Sequence, residues 1–195
     1  MLIKQNSKAK QVSIIAMSAA LYAVFFFLSY SVTMPNFTLL YLPIILLGVF
    51  PLWFGWSGLV GCMIGGFIGG VYVENLLPQA AWAESVVALL IYGLNWVLIS
   101  KGAAEAKTKK GVVLLAGVYA LTLFAGTSYI LWQLSVLGVF PMSVAEAFLL
   151  PTFALNLPIV WITCPALIRA ISPKLKTWGI YSGSFWEFLS NRTKT

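Results

Sequence analysis

Hydrophobic positions in this chain run in long blocks, not in the short alternations of a soluble domain. A helix needs roughly 20 mostly apolar residues to cross a bilayer's hydrocarbon core. Six blocks approach that length: residues 11–32, 38–54, 57–75, 82–100, 111–134 and 144–170. They predict an all-α integral membrane protein, one bundle of six transmembrane helices over 1–195. Residues 171–195 form a tail that mixes Trp178, Tyr181, Phe185, Trp186 and Phe188 with basic residues. Such a tail suits the membrane interface. The apolar run Val12–Val32 is too long for a cleavable leader, so it is read as the first span.

The polar positions then set the expected orientation. All twelve Lys and Arg fall in three places. Lys4, Lys8 and Lys10 precede span one. Lys101, Lys107, Lys109 and Lys110 join spans four and five. Arg169, Lys174, Lys176, Arg192 and Lys194 lie at or after the end of span six. With six spans, all three places share one side, which the positive-inside rule makes cytoplasmic. Both termini are therefore expected in the cytoplasm. Glu74, Glu84 and Glu146 fall near the opposite face. Five or seven spans would scatter the lysines over both sides.

Composition narrows the chemistry. Hydrophobic residues make up 61% and charged residues 9% of the chain, against about half and a quarter in soluble domains. The net charge of +7 has a local cause in the three basic segments, and no basic nucleic-acid surface is visible. Histidine and aspartate are absent. Catalysis by His and metal sites built on His are thereby excluded, as is paired-aspartate chemistry. Cys62 and Cys164 sit in apolar runs as small fillers, without a CxxC. There is no P-loop and no GxSxG with a histidine. No catalytic, cofactor or metal site is expected, and the chain does not read as an enzyme.

Two stripes of small residues recur at helical spacing. In span one these are Ser13, Ala16, Ala19, Ala20 and Ala23. In span three they are Gly58, Gly61, Gly65 and Gly69, with Gly66 and Gly70 beside them. Small faces let helices approach closely. Packing inside the bundle suits the glycines; the stripe of span one serves either internal packing or contact with another chain.

Polar groups in lipid are costly unless paired or hydrated, so they mark candidate sites. Glu84, Tyr92 and Asn95 share one face of span four. Tyr119, Thr122, Gly126, Tyr129 and Gln133 follow steps of three and four in span five. Glu146 and Asn156 lie in span six, which also carries Pro151, Pro158 and Pro165 at seven-residue intervals. Prolines bend helices and free carbonyls. Glu84, Trp82, Trp132, Gln133 and Glu146 fall at similar depth. The residues Glu84, Tyr92, Asn95, Tyr129, Trp132, Gln133, Glu146 and Asn156 are therefore expected either to line a ligand pocket open to the outside or, for the acids and aromatics, to be ordinary helix-end groups. Glutamates among Trp and Tyr suit a cationic or polar aromatic ligand.

The segments Ala16-Met-Ser-Ala-Ala-Leu-Tyr-Ala-Val24, Leu40-Tyr-Leu-Pro-Ile-Ile-Leu-Leu-Gly-Val49 and Gly61-Cys-Met-Ile-Gly-Gly66 resemble the first three helices of a known family. These are the substrate-binding S components of energy-coupling factor (ECF) vitamin transporters. The resemblance extends over nearly the whole chain in length and span count. It implies a subunit in a prokaryotic plasma membrane that captures a vitamin-like small molecule from outside. A separate transmembrane coupling protein and two cytosolic ATPases would be its partners and supply the energy. It further implies that the AxxxA face of helix one, matching Ala16 and Ala20 with Ala19 and Ala23 alongside, contacts the coupling protein. The pocket would lie between the later helices and the loop after helix one, Thr33 to Thr38. A self-sufficient small transporter or channel, and a non-transporting membrane scaffold, remain as other readings of the same architecture.

Overall fold

The computed structural model describes residues 8–29, 33–34 and 37–192. The chain ends, with Lys4 and Lys194, lie outside the described residues. The elements in order are α1 (Lys8–Ser29), β1 (Thr33–Met34), β2 (Phe37–Thr38), α2 (Ile44–Phe54), α3 (Trp56–Tyr72), α4 (Pro78–Leu98), α5 (Lys101–Ala104), α6 (Lys109–Val136), α7 (Met142–Thr177) and α8 (Phe185–Arg192). The two strands pair antiparallel over two residues each; every other described element is a helix.

Four helices, α1, α4, α6 and α7, are long and apolar enough to cross a membrane. That is the architecture of a helical membrane protein. The second predicted span, 38–54, is helical only from Ile44. Pro43 explains the late start, because the residue before a proline is pushed out of the helical region. At 1.5 Å per residue α2 is about 16 Å long, roughly half of the hydrocarbon thickness. All of its residues are buried, which makes it the central pillar of the bundle.

A single glycine turns the chain from α2 into α3. Gly55 has φ +58° and ψ −135°, a conformation that only glycine adopts readily. Helix α3 then runs parallel to α1, and its glycines set the spacing. A methyl on Gly61 would lie 2.4 Å from Ser18 Cβ, on Gly65 2.6 Å from Ala19 O, and on Gly69 2.3 Å from the Phe26 ring. The glycine stripe is thus filled from within the chain. Gly58 faces the Phe50 backbone and Gly70 faces Ala81, joining α3 to α2 and α4.

Across α2 from α1 and α3 stand α6 and α7. Tyr119 Oη donates to Gly48 O at 2.8 Å, and Trp161 Nε1 donates to Ala116 O at 2.9 Å. Helix α7 is 36 residues long and continues past the predicted end at 170, carrying Pro151, Pro158, Pro165 and Pro173 internally.

The segment after α7 packs against the bundle. The Ser182 and Gly183 amides donate to Trp53 O and Leu52 O at 2.9 Å each, satisfying carbonyls at the end of α2 that have no partner within the helix. Trp96 Nε1 donates to Gly183 O at 2.9 Å, and the Phe185 and Phe188 rings lie 5.2 and 5.3 Å from the Trp96 ring. Trp178 and Trp186 stay exposed, so part of the expected interfacial character of this tail persists. The same end holds the charges: Glu105 pairs with Lys176 at 2.6 Å and Lys107 at 3.0 Å, and Lys101 pairs with Glu187 at 3.4 Å. Arg169 Nε donates to Ala106 O at 2.7 Å. This is the basic end of the bundle; Glu74 and Glu84 lie toward the other.

Candidate functional site

Away from the basic end, α1, α2, α4, α6 and α7 leave a cavity between them. Its floor and walls are largely apolar: Ile44, Leu47, Ala88, Leu123 and Ile130. Polar groups converge on it from six places along the chain, Thr127 of α6 among them. Tyr22 comes from α1, Tyr41 from the segment before α2, and Glu74 from the turn after α3. Helix α4 contributes Glu84 and Tyr92, and α7 contributes Thr152 and Asn156.

Local sequence explains each position. Tyr22 reaches inward because α3 offers only glycine opposite it: a methyl on Gly65 would lie 2.7 Å from Tyr22 Cβ. Its hydroxyl hydrogen-bonds that of Tyr41 at 2.5 Å. Glu84, Ala88 and Tyr92 recur every four residues and therefore share a face of α4. Gly126 of α6 makes room for the Tyr92 hydroxyl, which would lie 3.2 Å from a methyl placed there. Leu123, Gly126, Thr127 and Ile130 form the cavity-facing stripe of α6 by the same periodicity.

The segment containing Tyr41 is held from two sides. The Tyr41 amide donates to Asn156 Oδ1 at 2.8 Å, and Asn156 Nδ2 donates to Leu39 O and Thr152 O, each at 2.8 Å. From α1, Ser29 Oγ accepts the Leu42 amide at 2.9 Å. Asn156 is therefore both a lining residue and a clamp, with its amide group fully used. Thr152 Oγ1, by contrast, is buried without a hydrogen-bond partner, and the residue is only 5% exposed.

The space open to the centres of water-sized molecules is about 50 Å³, room for a few waters. With the open solvent at its mouth included, the atom-free space is about 580 Å³. A smaller crevice of about 10 Å³ adjoins it between α1, α3 and α4, shares Tyr22, Tyr41 and Glu84, and is bounded by Met63 and Gly66. Among the described residues no Lys or Arg lines either space.

Of the sequence-derived candidates, Glu84, Tyr92 and Asn156 meet in this cavity. The others lie elsewhere. Asn95, one turn beyond Tyr92, is buried outside the lining. Gln133 donates from Nε2 to Ala80 O at 3.0 Å and so ties α6 to α4. Tyr129 is half-buried beside Trp132, ring centroids 6.0 Å apart. Trp132 is 51% exposed, and Glu146 is exposed as well. Both sit off the cavity-facing stripes of their helices.

Tyr22, Tyr41, Glu74 and Thr152 were not singled out by sequence as lining residues. Glu74 had a signal, as an acid near the end of span three opposite the basic segments. Tyr22 sat within the small-residue stripe of span one, where an aromatic is conspicuous only once its glycine partners are known. The side chains of the expected pocket loop, Thr33 to Thr38, lie outside the described residues; Leu39 to Tyr41 just after it reach the site. The alanine stripe of α1 divides: Ala19 is buried against α3, Ala23 is half-buried, and Ala16 and Ala20 are exposed.

Among the described residues no three His, Cys, Asp or Glu side chains gather as a metal site. Compared with known protein families, curated proteins and solved structures, the chain matches none.

Proposed function

We propose that this chain is the membrane-embedded capture subunit of an ECF-type importer, binding a vitamin-like small molecule from the extracytoplasmic side. The carrying observation is the position of the cavity. It lies away from the end where Lys101, Lys107, Arg169 and Lys176 collect. By the positive-inside rule that basic end faces the cytoplasm, so the cavity faces out. On this reading all six apolar helices belong to the membrane domain, with α2 as the buried pillar. Glu84, Tyr92 and Asn156 contact the captured molecule together with Tyr22, Tyr41, Glu74 and Thr152.

The chain carries no nucleotide-binding motif of its own, so energy enters through partners: a transmembrane coupling protein and two cytosolic ATPases. Ala16 and Ala20 are exposed on α1, where a partner helix can reach them.

The test is a ligand-dependent stability screen on the purified chain, followed by co-purification from native membranes. A molecule that binds only the native state raises stability by mass action. A ligand-stabilised protein that brings down a coupling protein and ATPases supports the proposal. Solute movement by the chain alone in liposomes supports a self-sufficient transporter instead, and external labelling of a cysteine placed at Lys107 would invert the orientation and sink the capture reading.

A further inference from the structure

Thr152 contributes a hydroxyl to the cavity that the protein itself leaves unused. Ser and Thr within a helix can turn the hydroxyl back onto the carbonyl one turn earlier. Ser29, Ser85, Thr122 and Thr163 do so, donating to the carbonyls of Phe25, Ala81, Val118 and Ile159. Thr152 does not. Its Oγ1 is buried without a hydrogen-bond partner, and the residue, 5% exposed, lines the cavity. A buried hydroxyl without a partner costs free energy, which water or another occupant of the cavity can relieve. Ser18 Oγ is also unpartnered, but it packs on Gly61 between α1 and α3 and lines neither space.

The rest of the lining narrows what can use that hydroxyl. Tyr22, Tyr41, Tyr92 and Thr127 line the same space, and each carries a hydroxyl, which both donates and accepts. Glu74 and Glu84 lie there too. A ligand hydroxyl donates to a carboxylate and accepts from a carboxylic acid. It therefore suits both acids in either protonation state and whatever else they contact. The tyrosine rings, with Leu123 and Ile130, offer flat, apolar surface to a ring. Room for only a few waters favours one ring over a fused set. We infer that the captured molecule is a single ring bearing hydroxyl groups and no net charge, with one hydroxyl hydrogen-bonded to Thr152 Oγ1. This inference rests on the capture reading above and deepens it, naming the ligand class and a residue that selects it.

The experiment is thermal stability and direct binding of the full-length chain in detergent. The probes share a pyridine ring. Pyridoxine carries hydroxyls and no net charge, nicotinamide neither hydroxyl nor charge, ring-methylated nicotinamide a positive charge and nicotinate a negative one. Pyridoxine is expected to stabilise the protein well beyond the other three. Thr152→Val replaces the hydroxyl with a methyl of similar size. It should weaken pyridoxine binding about tenfold. The melting temperature of the ligand-free protein should stay unchanged or rise, because an unpartnered hydroxyl is removed. Thr152→Ser should retain the affinity, and Tyr92→Phe, which removes a second hydroxyl, should weaken it. Unaltered pyridoxine affinity in Thr152→Val, or a lowered ligand-free melting temperature, would overturn the role of Thr152. Unaltered affinity in Tyr92→Phe, or binding of any other probe as tightly as pyridoxine, would overturn the hydroxyl-bearing class. Each of these leaves capture standing, whereas binding of no probe would overturn both.

Discussion

Asn156 on α7 holds Tyr41 in place across 115 residues of sequence: its Oδ1 accepts the Tyr41 amide at 2.8 Å while its Nδ2 donates to Leu39 O at 2.8 Å. Two backbone groups of a non-helical segment are thus satisfied by one side chain in the interior. Asn156→Leu keeps the branched shape and removes both of these bonds, along with the one to Thr152 O. Each buried polar group left unpaired costs about 1–3 kcal/mol, so a loss of roughly 2–4 kcal/mol is expected in equilibrium unfolding in detergent. An unchanged unfolding midpoint would show that the segment is held by other means.

The close approach of α1 and α3 depends on glycine. A methyl on Gly65 would meet Ala19 O at 2.6 Å and Tyr22 Cβ at 2.7 Å, and neither atom can yield without moving α1. Gly65→Ala should destabilise by about 1–3 kcal/mol, the usual cost of overpacking. Gly117→Ala is the control: nothing lies within 4 Å of its added methyl, and helix propensity then favours alanine by up to about 1 kcal/mol. Paired thermal melts of the two variants separate crowding from a general intolerance of glycine substitution.

Exposure on α1 makes a second division testable. Ala16 and Ala20 face outward whereas Ala19 packs on Gly61 and Gly65. Ala16→Trp and Ala20→Trp should fold with a change of at most about 0.5 kcal/mol and retain ligand binding, while uptake in cells is lost if a partner helix docks there. Ala19→Trp should cost about 3 kcal/mol or more, because no space exists for the ring. Loss of ligand binding in Ala20→Trp would assign the outer face of α1 to internal packing.

Glu105 links pH to stability at the basic end. The hydrogen bond from Lys176, then that from Lys107, holds its carboxyl down at about 2, below an ordinary value of 4.5. A depressed native pKa means that the stabilisation is complete above the unfolded value. It is lost as pH falls from about 4.5 through about 2. The pairs are solvent-exposed, so the contribution is less than about 1 kcal/mol and is screened by salt. Glu105→Gln should lower neutral-pH stability by that same contribution and so flatten this part of the acid-stability curve, the two proteins converging at the acid end; an identical acid limb in the variant would show that the pairs contribute nothing.

What the sequence determined by itself was what periodicity and composition carry. The apolar blocks marked the helices, Pro43 and Gly55 lie where helix α2 begins and ends, and the glycines of span three were legible as a packing face. Clustered lysines were legible as one end of the bundle because charge avoids hydrocarbon wherever the chain permits. Glu84, Tyr92 and Asn156 could be proposed as lining residues because a polar group in an apolar helix needs a reason. Tertiary structure alone decided the rest. Whether an outer-layer residue faces a cavity depends on the rotation of its helix about its axis, which neighbouring helices set: that separates Glu84 from Glu146, and Thr152 from Trp132. Tyr22 and Tyr41 enter the site only because Gly65 and Gly66 leave space and Asn156 fixes the segment between. Those are relations between distant parts of the chain, and no local pattern encodes them.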